Sequence, residues 1–191
     1  MSRLRRPLAL LAVLLASAGL AACGKHRDES APIQHLEQEG YYLSLGELKY
    51  QVQISRQLNP DDLQDRQYLV GVPEDERELA EDEVWFAVFL QVENEASEAL
   101  RPSAHVSVHD TQNEVYEPLP LGEANLFAYR PSQPIPPGEI IPLPDTAAYD
   151  TPIRGSLLLY KLTRQSLDNR PLELEIKSRH TEQTGIIDLD V

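Results

Sequence analysis

The run Val84-Trp85-Phe86-Ala87-Val88-Phe89-Leu90-Gln91-Val92-Glu93 has a period of two. Val84, Phe86, Val88, Leu90 and Val92 fall on one strand face, and Trp85, Ala87 and Phe89 on the other, followed there by Gln91 and Glu93. A strand apolar on both faces as far as Phe89 is expected at the centre of a sheet with both sides covered. Upstream, Leu48, Tyr50, Val52 and Ile54 alternate with Lys49, Gln51, Gln53 and Ser55, the pattern of a half-buried strand. Between the two, Asn59-Pro60-Asp61-Asp62 predicts a short helix start, with Asn59 as cap and Pro60 in the first helical position. Downstream, residues 94–98 read as a turn. Val106 and Val108 then alternate with His105, Ser107 and His109, and residues 110–114 turn the chain into a return strand at Val115 and Tyr116.

The remainder continues in short strands. Residues 118–152 are dense in proline, with a turn at Pro136-Pro137-Gly138-Glu139 ahead of Ile140-Ile141. Residues 153–162, 172–176 and 185–191 each alternate again. About seven strands at close spacing, with no long helical pattern, predict an all-β fold, an antiparallel β-sandwich.

The amino terminus is of another kind. Arg3, Arg5 and Arg6 precede an apolar run from Leu8 to Leu15, and small residues follow up to Cys23. A basic start, a short apolar run and a small-residue end define a secretory signal, and the run is too short for a stable span. Leu20-Ala21-Ala22-Cys23-Gly24 resembles the lipobox of bacterial lipoproteins, and Cys23 is the one cysteine in the chain. The resemblance implies signal-peptidase recognition through Leu20, Ala21 and Ala22, cleavage before Cys23, and lipid on the Cys23 sulfur. The expected organisation is therefore a signal peptide at 1–22, a lipidated cysteine with a flexible polar tether at 23–40, and a sandwich domain at 41–191. A short helical turn at 33–39 is compatible with that tether.

The net charge is -14. Removing Arg3, Arg5 and Arg6 with the leader leaves 14 basic against 31 acidic side chains, or -17. Such a surface repels phosphate backbones and anionic headgroups. Nucleic acid is thereby excluded as a partner, and the membrane is expected to be reached through the lipid alone. With a single cysteine the domain forms no internal disulfide, so its core must hold the fold.

The order of features resembles the immunoglobulin-like, telokin-like domains of small bacterial lipoproteins. Leu45-Gly46-Glu47-Leu48-Lys49-Tyr50-Gln51-Val52 is similar to their opening strand, and 85–94 to their long apolar strand ending in valine-x-asparagine. Val108-His109-Asp110 through Val115-Tyr116-Glu117-Pro118 is similar to their hairpin. Pro137-Gly138-Glu139 before Leu157-Leu158-Leu159-Tyr160 resembles the turn ahead of a late strand. The match runs over about 41–178 and departs at an insertion, 58–84, and at the closing strand after Arg179. It implies an immunoglobulin-like sandwich in the cell envelope, anchored on an extracytoplasmic face, and carries over no catalytic residue.

Candidates for chemistry are few. His105 and His109 share a strand face about 13 Å apart, too far for one ion. Ser107 lies between them, and with neighbouring strand positions taken to point to opposite faces, neither histidine is expected to activate it. Asp61, Asp62 and Asp65 can be read as paired carboxylates for acid–base work, and a helix start accounts for the first two without it. Glu74, Asp75, Glu81 and Asp82 belong to an acidic run that offers oxygen ligands to a cation such as calcium, without the spacing of a known calcium loop. Phe127 and Tyr129, among prolines, are the candidate exposed recognition loop. No nucleophile elbow, phosphate loop or dinucleotide fingerprint is present, so no cofactor, resident metal or enzymatic activity is expected. The expected function is a non-enzymatic interaction module with a protein partner in the envelope. The alternative is a solute- or cation-binding envelope lipoprotein.

Overall fold

The computed structural model describes residues 33–190. Ten strands run in the order β1 (Ile33–Leu36), β2 (Leu43–Leu45), β3 (Leu48–Gln57), β4 (Glu83–Asn94), β5 (His105–His109), β6 (Val115–Tyr116), β7 (Ile140–Ile141), β8 (Ser156–Thr163), β9 (Leu172–Lys177) and β10 (Thr184–Leu189). Two short helices, α1 (Asp65–Tyr68) and α2 (Arg164–Asp168), interrupt them. One sheet has the order β1-β10-β9-β5-β6. The other runs β2-β3-β4, and the far edge of β4 pairs with β8 along 83–90 and with β7 at Val92 and Glu93. All pairings are antiparallel except β1 with β10.

This is an immunoglobulin-like β-sandwich. β3, β4 and β8 stand in the places of strands A, B and E, and β5, β6, β9 and β10 in those of C, C′, F and G. The expectation of about seven strands omits β1 and β2. Ile33–Leu36, assigned by sequence to the tether or to a helical turn, is an edge strand pairing residue for residue with Thr184–Ile187.

β4 is central for the reason its pattern implies. Phe86, Val88, Leu90 and Val92 enter the core between the sheets, beside Tyr50, Val52, Tyr160, Leu174 and Ile176. Trp85, Ala87 and Phe89 enter a second core on the outer side of the same sheet, roofed by Leu58, Tyr68, Val72 and Leu121. The inserted segment after Leu58 therefore covers the second apolar face of β4. Tyr68 stands edge-on to both Phe89 and Phe127, with ring centroids 5.0 Å apart in each pair. Such pairs contribute about 0.5–1.5 kcal/mol beyond area burial.

The helix begins later than expected. Asn59 Oδ1 accepts from the Asp61 backbone N–H at 3.0 Å, which closes a turn around Pro60. Asp62 Oδ1 instead accepts from Gln64 N–H at 2.8 Å and Asp65 N–H at 3.1 Å, so Asp62 rather than Asn59 satisfies the first helical donors.

The outer edge of β8 is not left bare. Leu119 N–H donates to Leu159 O and Tyr129 N–H to Leu157 O, both at 2.8 Å, and Leu157 N–H donates to Phe127 O at 2.7 Å. The proline-dense segment thus lies along this edge and blocks pairing with another chain. Gly71, at a φ of +76°, lets this cover close: its carbonyl accepts from Gly122 N–H at 2.8 Å, and a Cβ there would stand 3.2 Å from Gly122 O.

Candidate functional site

The edge cover carries the residues expected to form an exposed recognition loop, and it uses them differently. Tyr129 is buried, and its hydroxyl donates to Ser103 O at 2.8 Å. Burial pushes that hydroxyl well above its ordinary pKa, so it is a fixed neutral donor. Phe127 is half-buried against Tyr68. Hydrogen bonding of this segment to β8 turns the Tyr129 ring into the core between the sheets and packs the Phe127 ring partly against the outer core. The exposed apolar side chain is Leu126, at 69%.

What the segment builds is a wall between two clefts. One, of about 340 Å³, lies between Pro118–Leu121 and Ala128–Ser132, floored by Val106 and Leu158. The other, of about 480 Å³, lies between Leu126–Ala128 and Ile141–Leu143. Arg130 braces the wall, donating to Leu121 O at 2.6 Å, Gly122 O at 2.8 Å and Asn125 O at 3.0 Å. Asn125 in turn donates to Tyr68 O and Val70 O at 2.9 and 2.8 Å. Cleft walls held by such bonds to backbone are formed in advance of any ligand, which lowers the ordering cost of binding.

A second polar surface lies on the outer face of the other sheet. Ser107 and His109 are two positions apart and therefore share a face, which corrects the expectation that strand geometry separates them. Ser107 Oγ lies 2.9 Å from His109 Nε2. Glu175 Oε1 stands 3.8 Å from that same nitrogen, and it pairs with Lys177 at 2.9 Å. A serine activated by a histidine needs the carboxylate on the opposite ring nitrogen, where it orients the imidazole. Here serine and carboxylate converge on one nitrogen, the arrangement of a surface hydrogen-bond cluster.

On the same face, at the β1 edge, His35 Nε2 lies 2.6 Å from Asp188 Oδ1. That hydrogen bond holds the proton on His35 above the ordinary value of 6.5. Glu173 joins them: one ligand atom from each of the three residues lies within 4.8 Å of the others. Sequence reasoning misses this group, because its members come from positions 35, 173 and 188 and meet only through the β1-β10-β9 register.

The acidic run does not form a cation cage. Glu74–Glu76 make one turn of 3-10 helix, Glu76 pairs with Lys161 at 2.9 Å, and Lys161 also donates to Glu78 O at 2.9 Å. Among the described residues, Glu74, Asp75, Glu81 and Asp82 do not converge as a ligand set. Glu74 and Asp75 belong to the 74–76 turn and Glu81 and Asp82 to a separate one, while Lys161, the partner of Glu76, lies over the Trp85 ring.

Asp65 is structural, not one of a reactive pair. It is buried, makes a two-pronged ion pair with Arg56 and accepts from Asn59 N–H at 2.8 Å. The Arg56 guanidinium holds its carboxyl below the ordinary value of 3.8. A lowered folded-state value contributes stability that is present above the unfolded value and is lost as pH falls through the folded one. Asp65→Asn is therefore expected to lower the urea midpoint at neutral pH. It is also expected to narrow the gap to wild type as the pH is taken from about 5 to about 2. A gap constant over that range would remove Asp65 from the acid response.

Cys23 and Leu20, Ala21 and Ala22 lie outside the described residues. No helix among the described residues is long and apolar enough to cross a membrane. No protein-family model matches the chain, and no curated protein matches it. Three solved structures are similar to it. An uncharacterized β-sandwich protein from Clostridium difficile 630 is 11% identical over 85% of this chain and 97% of that one, with a TM-score of 0.49. The yjhA protein from Bacillus subtilis is 7% identical over 81% and 100%, with a TM-score of 0.48. A conserved hypothetical protein from Bacillus anthracis is 10% identical over 76% and 93%, with a TM-score of 0.44.

Proposed function

We propose that this protein is a lipid-anchored lipoprotein on an extracytoplasmic face of the cell envelope, where its sandwich serves as a non-enzymatic module that binds another envelope protein. The observation that carries the reading is Cys23: the one cysteine of the chain ends Leu20-Ala21-Ala22, behind a basic start and an apolar run. Two or three acyl chains, at about 0.8 kcal/mol per buried methylene, anchor a protein stably where one does not. The braced clefts on either side of 126–132 support a binding role. The convergence of Ser107 and Glu175 on one nitrogen of His109 supports a non-catalytic one.

The test joins anchoring to binding in intact cells. A photo-crosslinking residue is placed at Leu126, on the rim of the larger cleft, or at Val115, an exposed position on the other sheet. Each is made with Cys23 intact and with Cys23→Ser. The wild type is expected to stay with membranes through a carbonate wash and to give one crosslinked species from position 126 alone. Cys23→Ser is expected to release the protein and lose that species. A Cys23→Ser protein retained on membranes overturns the anchor, and equal crosslinking from both positions overturns the cleft as the binding surface.

A further inference from the structure

We propose that His35, Asp188 and Glu173 bind a divalent transition ion of the zinc type, and that this ion clips β1 to β10 and β9.

The three side chains come from three neighbouring strands. In the pairing register Asp188 lies directly opposite Glu173, and His35 opposite Ile186, two positions before Asp188. Alternation puts all three on the outer face, while Leu36, Ile187, Leu189, Leu172 and Leu174 pack inward. Like charges directly opposite each other across an antiparallel pair destabilise it. Asp188 and Glu173 are such a pair, and Glu173 makes no ion pair among the described residues. The His35 hydrogen bond answers one of the two carboxylates, Asp188. A divalent cation answers both, and converts the repulsion of β10 and β9 into a shared attraction.

The donor set indicates the ion. One imidazole nitrogen with two carboxylates suits zinc and its neighbours in the transition series, whereas calcium and magnesium favour oxygen alone. Zinc ligands at about 2.0–2.2 Å stand about 3.4 Å apart around a tetrahedron, leaving the fourth position to water. The present atoms lie within 4.8 Å of one another, with His35 Nε2 and Asp188 Oδ1 2.6 Å apart, and these two figures bracket that separation. The His35 side chain is 46% exposed, which leaves its ring room to rotate.

The consequence falls on β1. It is four residues long, pairs on one side only, and is the strand nearest the amino-terminal segment. An ion held by His35 on one side and by Asp188 and Glu173 on the other binds only while β1 is docked, and so stabilises the docked state by mass action.

The test uses the full-length chain in detergent, without a polyhistidine tag. Zinc is titrated against a chelating fluorophore, and amide exchange in β1 is followed with and without zinc. The wild type is expected to take up one equivalent, and exchange in β1 to slow about 100-fold at 100 times the dissociation constant. His35→Gln and Glu173→Gln are each expected to weaken uptake by at least about 10-fold. Both positions lie on an outer face, and circular dichroism checks that both variants fold. Glu81→Gln with Asp82→Asn, in the acidic run, is expected to leave uptake unchanged. No zinc uptake by the wild type, or uptake that survives both ligand substitutions, overturns the site. Uptake with no slowing of exchange in β1 overturns the clip. Neither result depends on whether Cys23 carries lipid.

Discussion

Phe86→Ala is expected to destabilise the sandwich by about 4 kcal/mol and to lower its Tm by about 12 °C. Phe86 is fully buried, at 0% exposure, on the inward face of β4. Its register partner on β8 is Tyr160, which is buried as completely. Truncation opens a void between the sheets that the strand cannot close by moving inward. β4 is held by β3 along one edge and by β8 along the other, so its backbone position is set from both sides. The cost therefore belongs in the upper part of the range for such deletions, where the site does not collapse. Phe86→Leu, which keeps most of the volume, is expected to cost no more than about 1.5 kcal/mol. Ile54→Ala, at a position 36% exposed beside an irregularity in β3, is expected to fall within about 0.5 kcal/mol of wild type. Urea unfolding at constant m checks the series. Equal losses at Phe86 and Ile54 would contradict the placement of the core.

Asn94→Ala is expected to cost about 3 kcal/mol, although it removes only a small polar side chain. Asn94 ends β4 with no exposed surface. Its Nδ2 donates to Glu98 O at 2.8 Å, Ile135 O at 2.9 Å and Pro136 O at 3.3 Å, and its Oδ1 accepts from Ala96 N–H at 3.0 Å. Its backbone meets Glu139 O and Gly138 N–H. One amide thus ties the turn after β4 to the turn before β7, and its loss strands buried carbonyls. Asn94→Asp separates this account from one based on shape. The carboxylate has nearly the amide's shape but donates nothing, and it faces the three carbonyls with negative charge. At neutral pH it is expected to be at least as destabilising as alanine, with part of the loss recovered on acidification, when a protonated oxygen donates once more. An Asn94→Asp protein as stable as the wild type would contradict the latch.

The two positions mark how far sequence reasoning reaches. Phe86 is legible because a run apolar on both faces has only one stable setting, a strand covered on two sides. Asn94 reads as a turn residue, which it is, but its partners at 135 and 136 come from the far side of the proline-dense segment. The alternation of 33–36 is hidden because Ile33 and His35 face out and only two positions face in. The neighbour that makes it a strand is Thr184–Ile187, some 150 residues on. The candidate sites divide in the same way. Ser107 and His109 are legible as neighbours, since positions two apart in a strand share a face. The group at 35, 173 and 188 is not, because long-range registers assemble it. Proline-rich surroundings point to an exposed loop for Phe127 and Tyr129. Hydrogen bonding along β8, which no local pattern encodes, turns Tyr129 inward and lays Phe127 partly against Tyr68.

β1 and β10 lie side by side and point the same way. A pull that enters through the start of β1 and is resisted at the far end of β10 therefore acts along both strands in opposite senses. Under that load the bonds between them are strained together, in shear, instead of opening one after another from an end. A module tethered from its amino-terminal side, as proposed above, would meet drag through this ladder, and the four-residue strand would then act as a mechanical fuse loaded in shear. The ion proposed at His35, Asp188 and Glu173 sits across the same joint and would raise the force at which it yields.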